Sequence, residues 1–224
     1  RDDLVVILAG YTKEMQLFLS ANSGLASRFP NQIEFPDYSG EELEKIAEIN
    51  ASSKGYRITD DAKAALLDYF CVIQAMGSRE SGNGRLARNV IEAAILAQAK
   101  RVAALGCQIL RASVPTLEDV RIVEAIKNAV DIPFVADIHF DYRIALACVE
   151  AGADKIRINP GNIGSDENVR AVARACNAKN IPIRIGVNAG SLEKEILARY
   201  GAPTPEAMVE SAMYHVRLLE KHDF

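Results

Sequence analysis

Apolar residues in the second half of the chain fall in short runs, each followed by a segment with helical spacing. The runs are Cys107-Gln-Ile-Leu-Arg111, Phe134-Val-Ala-Asp137, Lys155-Ile-Arg-Ile158 and Ile183-Arg-Ile-Gly-Val187. They recur roughly every 25 residues, the repeat length of βα units. Residues 107–224 therefore predict an open parallel sheet of four strands, with helices outside it and right-handed crossovers. Four strands are too few to close a barrel, so one sheet edge and the inner face stay open.

The first half carries a different pattern. Leu4-Val-Val-Ile-Leu-Ala9 is a continuous apolar run ended by Gly10 and predicts a buried parallel strand; Gln32-Ile-Glu-Phe35 predicts a second, shorter one. Between them Lys13 to Leu19 reads as helix, and Gly24-Leu-Ala-Ser-Arg-Phe-Pro30 as a loop closed by proline. Three helices follow. Ser39 is placed to cap the first, with Glu41, Glu42 and Glu44 at its positive end and Leu43, Ile46, Ala47 and Ile49 as its apolar stripe. Thr59 caps the second, in which Ala62, Ala65, Leu66 and Tyr69 recur at helical spacing. After a breaker-rich stretch from Gly77 to Gly84, the third begins near Arg85. It meets neither proline nor glycine before Gly106, and predicts one unbroken helix with Gly106 as a left-handed cap. Val90, Ala94, Ala97, Arg101 and Ala104 share one face of it.

Polar chemistry gathers at and just beyond the later strands. Arg111, Arg157 and Arg184 sit within them, while His139, Asn159, Asn188 and Ser191 follow their C-terminal ends. In Lys155-Ile-Arg-Ile158 the side chains alternate, so Ile156 and Ile158 face one way and Arg157 the other. An arginine in an apolar strand is costly to bury unless it meets an anion or a carboxylate. Two readings stay open. Each arginine pairs with a neighbouring carboxylate, or the three converge on a ligand rich in phosphate oxygens, which guanidinium groups bind bidentately. The C-terminal ends of parallel strands are where such folds bind ligands.

Three segments, Val135-Ala-Asp-Ile-His-Phe-Asp-Tyr-Arg143, Lys155-Ile-Arg-Ile-Asn-Pro-Gly-Asn162 and Ile183-Arg-Ile-Gly-Val-Asn-Ala-Gly-Ser-Leu192, make residues 102–224 resemble the 4-hydroxy-3-methylbut-2-enyl diphosphate synthase family. The resemblance implies a TIM barrel followed by an iron–sulfur domain. It implies reductive ring opening of methylerythritol cyclodiphosphate in isoprenoid biosynthesis, with a [4Fe-4S] cluster and flavodoxin or ferredoxin as electron donor. It also implies that Arg111, Arg157 and Arg184 grip the diphosphate, and that Asn159, Asn188 and His139 line the same mouth.

Val5-Val-Ile-Leu-Ala-Gly-Tyr11, Gly24-Leu-Ala-Ser-Arg-Phe-Pro30, Phe35-Pro-Asp-Tyr38 and Gly82-Asn-Gly-Arg-Leu-Ala-Arg-Asn89 resemble the C-terminal half of an AAA+ ATPase, rubisco-activase-like or stage V sporulation K-like. That resemblance implies ATP with magnesium and neighbouring ATPase subunits as partners. Arg28 would match the arginine finger, and Arg85, or else Arg88, the sensor arginine. Both would act on γ-phosphate charge. The plainer alternative makes Arg28 a solvated loop residue and Arg85 a surface charge at a helix start.

The expected α/β fold is thus an AAA+ core remnant of two strands and one helix in 1–38, a helical lid in 39–101, and an open four-stranded (βα)4 half of a TIM barrel in 102–224. No G-x-x-x-x-G-K-[ST] loop occurs. Cys71, Cys107, Cys148 and Cys176 form no C-x-x-C pair, and each sits among apolar residues, so all four read as small buried hydrophobes. The expectation is two joined family fragments, neither active alone, with no catalytic or metal-ligating residue of their own. An ATPase motor subunit is the alternative. Net charge is −4, with 25% charged residues, which offers no basic surface to nucleic acid. No apolar run reaches membrane length. A reducing, cytoplasmic setting is expected.

Overall fold

A computed structural model describes residues 5–21, 23–76 and 83–224. The chain divides into two compact units, Arg1–Tyr38 and Ser39–Phe224. Leu4 and residues 77–82 lie outside the described residues, so the start of the first predicted strand and most of the breaker-rich stretch do too.

The first unit departs from expectation. Its described residues hold two helices, α1 (Thr12–Ser20) and α2 (Ser23–Arg28), and no strand. The apolar runs expected as strands form no regular element and are exposed: Val5 and Ile7 are each 84% accessible, Ile33 79% and Phe35 87%. A strand is stable only when its N–H and C=O groups meet a neighbouring strand, and among the described residues no strand pairs with either run. The expected loop at Gly24 is instead helical as far as Arg28. Pro30 stops it there by excluding the residue before it from helix.

In the second unit, α3 (Gly40–Ser53) opens with a full capping box. The Ser39 side chain accepts from the Glu42 backbone, and the Glu42 side chain accepts from the Ser39 N–H. Its buried stripe is Leu43, Ala47 and Ala51, while Ile49 turns outward. Then come α4 (Asp60–Ala75) and α5 (Gly84–Ala104). On α4 only Phe70 is fully enclosed, and Tyr69 is exposed. The α5 helix runs unbroken past residues 100–103, and Gly106 follows it at φ +89°. Its buried face is Ala87, Ile91, Ile95 and Ala99 rather than the expected Val90 and Ala94 face. The two isoleucines one turn apart bury more apolar area than alanines would.

The chain then alternates: β1 (Leu110–Ser113), α6 (Val120–Lys127), β2 (Phe134–Asp137), α7 (Tyr142–Glu150), β3 (Lys155–Ile158), α8 (Pro160–Ile163), α9 (Asp166–Ala178), β4 (Ile183–Ile185), α10 (Lys194–Tyr200) and α11 (Pro205–Glu220). The four strands are parallel, as the βα periodicity predicts, and lie in the order β1-β2-β3-β4. The first strand starts at Leu110, three residues later than Cys107, because its ladder begins opposite Phe134. The last ends at Ile185, where Gly186 turns away after one further bond to the Ile158 carbonyl at 2.8 Å.

One core joins the helices of 40–104 to the sheet. It runs from Leu43 and Phe70 through Ile91 and Ile95 to Phe134, Ile156 and Ile158. Residues 39–101 therefore pack with the barrel-like part in a single compact unit rather than forming a separate lid. A buried ion pair crosses the same boundary: Lys54, which caps α3, reaches Asp119 ahead of α6 at 2.9 Å, with both side chains 6% exposed. Asp119 also accepts from the Thr116 hydroxyl at 2.7 Å.

Candidate functional site

Register places the charged strand residues. Parallel partners point to the same face of a sheet, as do residues two apart on a strand. Ala112, Ala136 and Ile156 are aligned across three strands and face the helices. On the opposite face Ser113, Asp137, Arg157 and Arg184 form one aligned row. Arg111, Val135 and Lys155 form the row beneath it. Four cationic side chains thus share this face with one carboxylate.

That carboxylate is Asp137, 5% exposed at the end of β2. Arg157 donates to its Oδ1 from Nη1 at 2.8 Å. Arg111 donates to Oδ2 from Nε at 3.0 Å and, more closely, from Nη2. Burial pushes the Asp137 carboxyl up, but the hydrogen bonds and charges of Arg111 and Arg157 outweigh it and hold the group below the usual carboxylate range. For Arg111 and Arg157 the carboxylate pairing left open by the sequence is the one present. Arg184 differs. It is exposed beside Arg157 and has no acidic partner among the described residues.

The loop after β4 closes over Arg157. Its Nη2 donates to the Gly186 carbonyl at 3.2 Å. With the Asn188 amide oxygen turned toward Arg157, Asn188 accepts from the same Nη2 at 3.2 Å and donates to the Val187 carbonyl at 3.3 Å. Gly186 is required by this contact, since a Cβ there would lie 2.0 Å from Arg157 Nε. Asn159, 2% exposed at the end of β3, donates to Ser191 Oγ at 2.9 Å. His139 Nε2 stands 3.7 Å from Asp137 Oδ1 and stacks edge-on against Phe140. The structure therefore brings Arg111, Arg157, Arg184, Asn188 and His139 to or around one strand-end cluster, with Asn159 on the loop that borders it.

Sequence reading named the arginines but not the carboxylate that organises two of them. It also passed over Ser113, Lys155 and Gly186. Ser113 Oγ is buried on the cationic face and makes no hydrogen bond. The available signal was alternation: counting by twos from Arg111 and Arg157 selects Ser113 and Lys155, and the parallel register adds Asp137.

The other predicted residues lie apart from this cluster. Arg28 folds back on its own helix, donating to the Gly24 carbonyl at 3.2 Å. Arg85 is exposed at the start of α5, and Arg88 pairs with Glu118. Two surface grooves, between α5 and α6 and between α10 and α11, include none of the predicted residues.

The cysteines do not suit a four-iron cluster. Cys148 and Cys176 are buried in α7 and α9, where burial pushes both thiols up to about 12, and cluster ligation needs thiolates. Cys107 is half-buried and Cys71 exposed, so neither is the enclosed hydrophobe expected of it. Among the described residues no group of three His, Cys, Asp or Glu side chains could hold a metal ion. No described helix is long and apolar enough to cross a membrane.

A four-stranded parallel βα sheet, with helices on one face and cationic side chains along the other, defines an α/β protein consistent with part of a barrel. Residues 69–224 match the GcpE TIM-barrel domain, and the chain belongs to that family. The match begins within α4 and takes in Arg85 and Arg88. The chain is 52% identical over 153 residues to the 4-hydroxy-3-methylbut-2-en-1-yl diphosphate synthase (flavodoxin) of Fusobacterium nucleatum, covering 68% of this chain and 41% of that protein. It is 58% identical over 131 residues to the enzyme of the same name from Macrococcus caseolyticus, covering 58% and 35%. The Listeria monocytogenes enzyme is 56% identical over 131 residues, covering 58% and 36%. The chain spans well under half the length of these relatives. The comparisons lend no support to an ATPase relation for residues 1–101.

Proposed function

We propose that this chain carries the diphosphate-holding part of a 4-hydroxy-3-methylbut-2-enyl diphosphate synthase barrel, acting in isoprenoid biosynthesis on methylerythritol cyclodiphosphate. The supporting observation is the placement of Arg184. It stands in register with Arg157 on the cationic face, without an acid to neutralise it. Asp137 orients Arg111 and Arg157 while leaving the face net positive. The site is thus pre-shaped for an anion with several oxygens, and binding requires little reorganisation of the arginines. Asn159, Asn188 and His139 complete the polar mouth, and residues 102–224 are the part that builds it.

The reaction is a reduction, and the [4Fe-4S] cluster and flavodoxin implied by the family supply its electrons. The cysteines described above do not fit the cluster, so this chain's share is to bind and orient the substrate diphosphate. Alone it holds substrate without turning it over. A soluble, cytoplasmic setting suits that role.

Isothermal calorimetry with inorganic pyrophosphate tests the reading. The expected result is salt-sensitive binding to the full chain that Arg184→Met weakens by at least about tenfold, as loss of one charge-assisted contact predicts. Absence of binding, or equal binding by the Arg184→Met chain, would overturn it.

A further inference from the structure

We propose that Glu193, held by the buried His215, is a positioning residue that fixes the loop between β4 and α10 in the conformation that presents Asn188 and Ser191 to the strand-end site. This inference rests on reading that site as a diphosphate site.

The loop has little else to hold it. From Gly186 to Leu192 it forms no strand pairing beyond the first bond of Gly186, and its one regular element is a single 3-10 turn at Ala189–Ser191. Asn188, Ala189 and Gly190 are exposed, so apolar burial does not set their position. Three groups from this loop nonetheless serve the site: the Gly186 carbonyl and Asn188 on Arg157, and Ser191 on Asn159. A segment with few buried contacts opens readily unless both its ends are tied.

One end is tied by β4. The other is tied at Glu193, the residue that caps α10. His215 Nε2 lies 2.5 Å from Glu193 Oε1, with the imidazole 1% exposed and the carboxylate side chain 18%. His215 belongs to the buried stripe of α11, which reads Ala207, Ser211, His215 and Leu219 at successive turns. A serine and a histidine in a helix core stripe are costly unless something answers them. Glu193 answers the histidine directly. Ser211 Oγ lies beside the carboxylate without closing a well-formed hydrogen bond. Burial pushes the Glu193 carboxyl up, but Ser211, its own backbone and His215 together hold it below its ordinary range. The Tyr214 ring packs edge-on against the imidazole, with ring centroids 5.1 Å apart.

An apolar pair would join α10 to α11 equally well. A hydrogen-bonded carboxylate adds direction, because it accepts along one line and so fixes where the residue before α10 must sit. The aliphatic neighbour Ile196 supplies the burial of α10, and Glu193 supplies the register of the loop.

The test uses the full chain with two substitutions, Glu193→Ala and Glu193→Gln, read by backbone amide hydrogen exchange and by calorimetry with inorganic pyrophosphate. In Glu193→Ala the amides of residues 187–192 should exchange about tenfold faster, those of β2, β3 and α11 should keep their protection, and pyrophosphate affinity should fall about tenfold. Glu193→Gln, which still accepts from His215, should restore both. Unchanged loop exchange in Glu193→Ala overturns the proposal. So does a looser loop with unaltered affinity, or a loss of protection spread evenly over the fold. Should the unsubstituted chain bind no pyrophosphate, the diphosphate reading falls, while the exchange measurement still decides whether Glu193 and His215 fix the loop.

Discussion

Asp137 organises the charged face at the scale of single residues. It is buried, it accepts from two arginines, and its carboxyl lies below the ordinary range. A carboxyl with a depressed folded pKa is protonated more readily in the unfolded chain. Its stabilisation is therefore complete above the unfolded carboxylate pKa of about 4 and disappears as pH falls through the lower folded value. Asp137→Asn should flatten the acid limb of a plot of Tm against pH, and cost on the order of 2 kcal/mol at neutral pH by stranding Arg157. Thermal melts between neutral and strongly acid pH check both. Gly186 is the complementary position. Because an added Cβ would lie 2.0 Å from Arg157 Nε, Gly186→Ala should push the guanidinium off Asp137. Pyrophosphate affinity should then fall about tenfold, with a smaller effect on stability; titration of the variant beside a urea melt distinguishes the two. Alternation along β3 made the exposure of Arg157 to the non-helical face legible in the sequence. Its partner was not legible, because a cross-strand neighbour 20 residues earlier is chosen by register.

At the scale of elements, α5 carries the clearest lesson. Strong helix formers without a breaker run from Leu86 to Leu105, and the helix observed is one piece from Gly84 to Ala104. A trypsin-like protease should leave the bonds after Lys100 and Arg101 uncut under native conditions, since cleavage there requires local unfolding of a helix whose Ile95 and Ala99 are buried. A rapid cut yielding two stable fragments would contradict the continuous helix. Which face of α5 turns inward was not legible. Its alanines make several faces mildly apolar, and the core of α3 and the sheet selected the one bearing Ile91 and Ile95. The two apolar runs of the first unit show the opposite case. Their composition suits strands, but a strand is completed by its neighbour, and none pairs with them among the described residues.

For the whole molecule, the ion pair of Lys54 and Asp119 joins the helices of 40–104 to the sheet at a buried position. Lys54→Met would leave Asp119 enclosed with only Thr116 to answer it. A loss of about 3 kcal/mol is expected, with residues 39–224 still unfolding in one transition, because the shared core couples both parts. Urea denaturation followed by circular dichroism measures both, and two separate transitions would show that the helices and sheet are independent. The same unity explains why the family match can begin at residue 69, inside α4, well ahead of the first strand.

By itself the sequence determined the elements whose signals are local: the βα alternation, the parallel sheet that such repeats impose, the cap at Ser39 and the long α5. It also identified the arginines, because a charge within an apolar strand stands out without any knowledge of the fold. Tertiary structure alone decided which groups meet. Register set Arg184 beside Arg157, and Asp137 between Arg111 and Arg157. Packing of α11 brought His215 to Glu193 across 22 residues of chain. Such pairings depend on distances in space that the spacing along a chain does not encode, whereas helix and strand periodicity is a property of the chain itself.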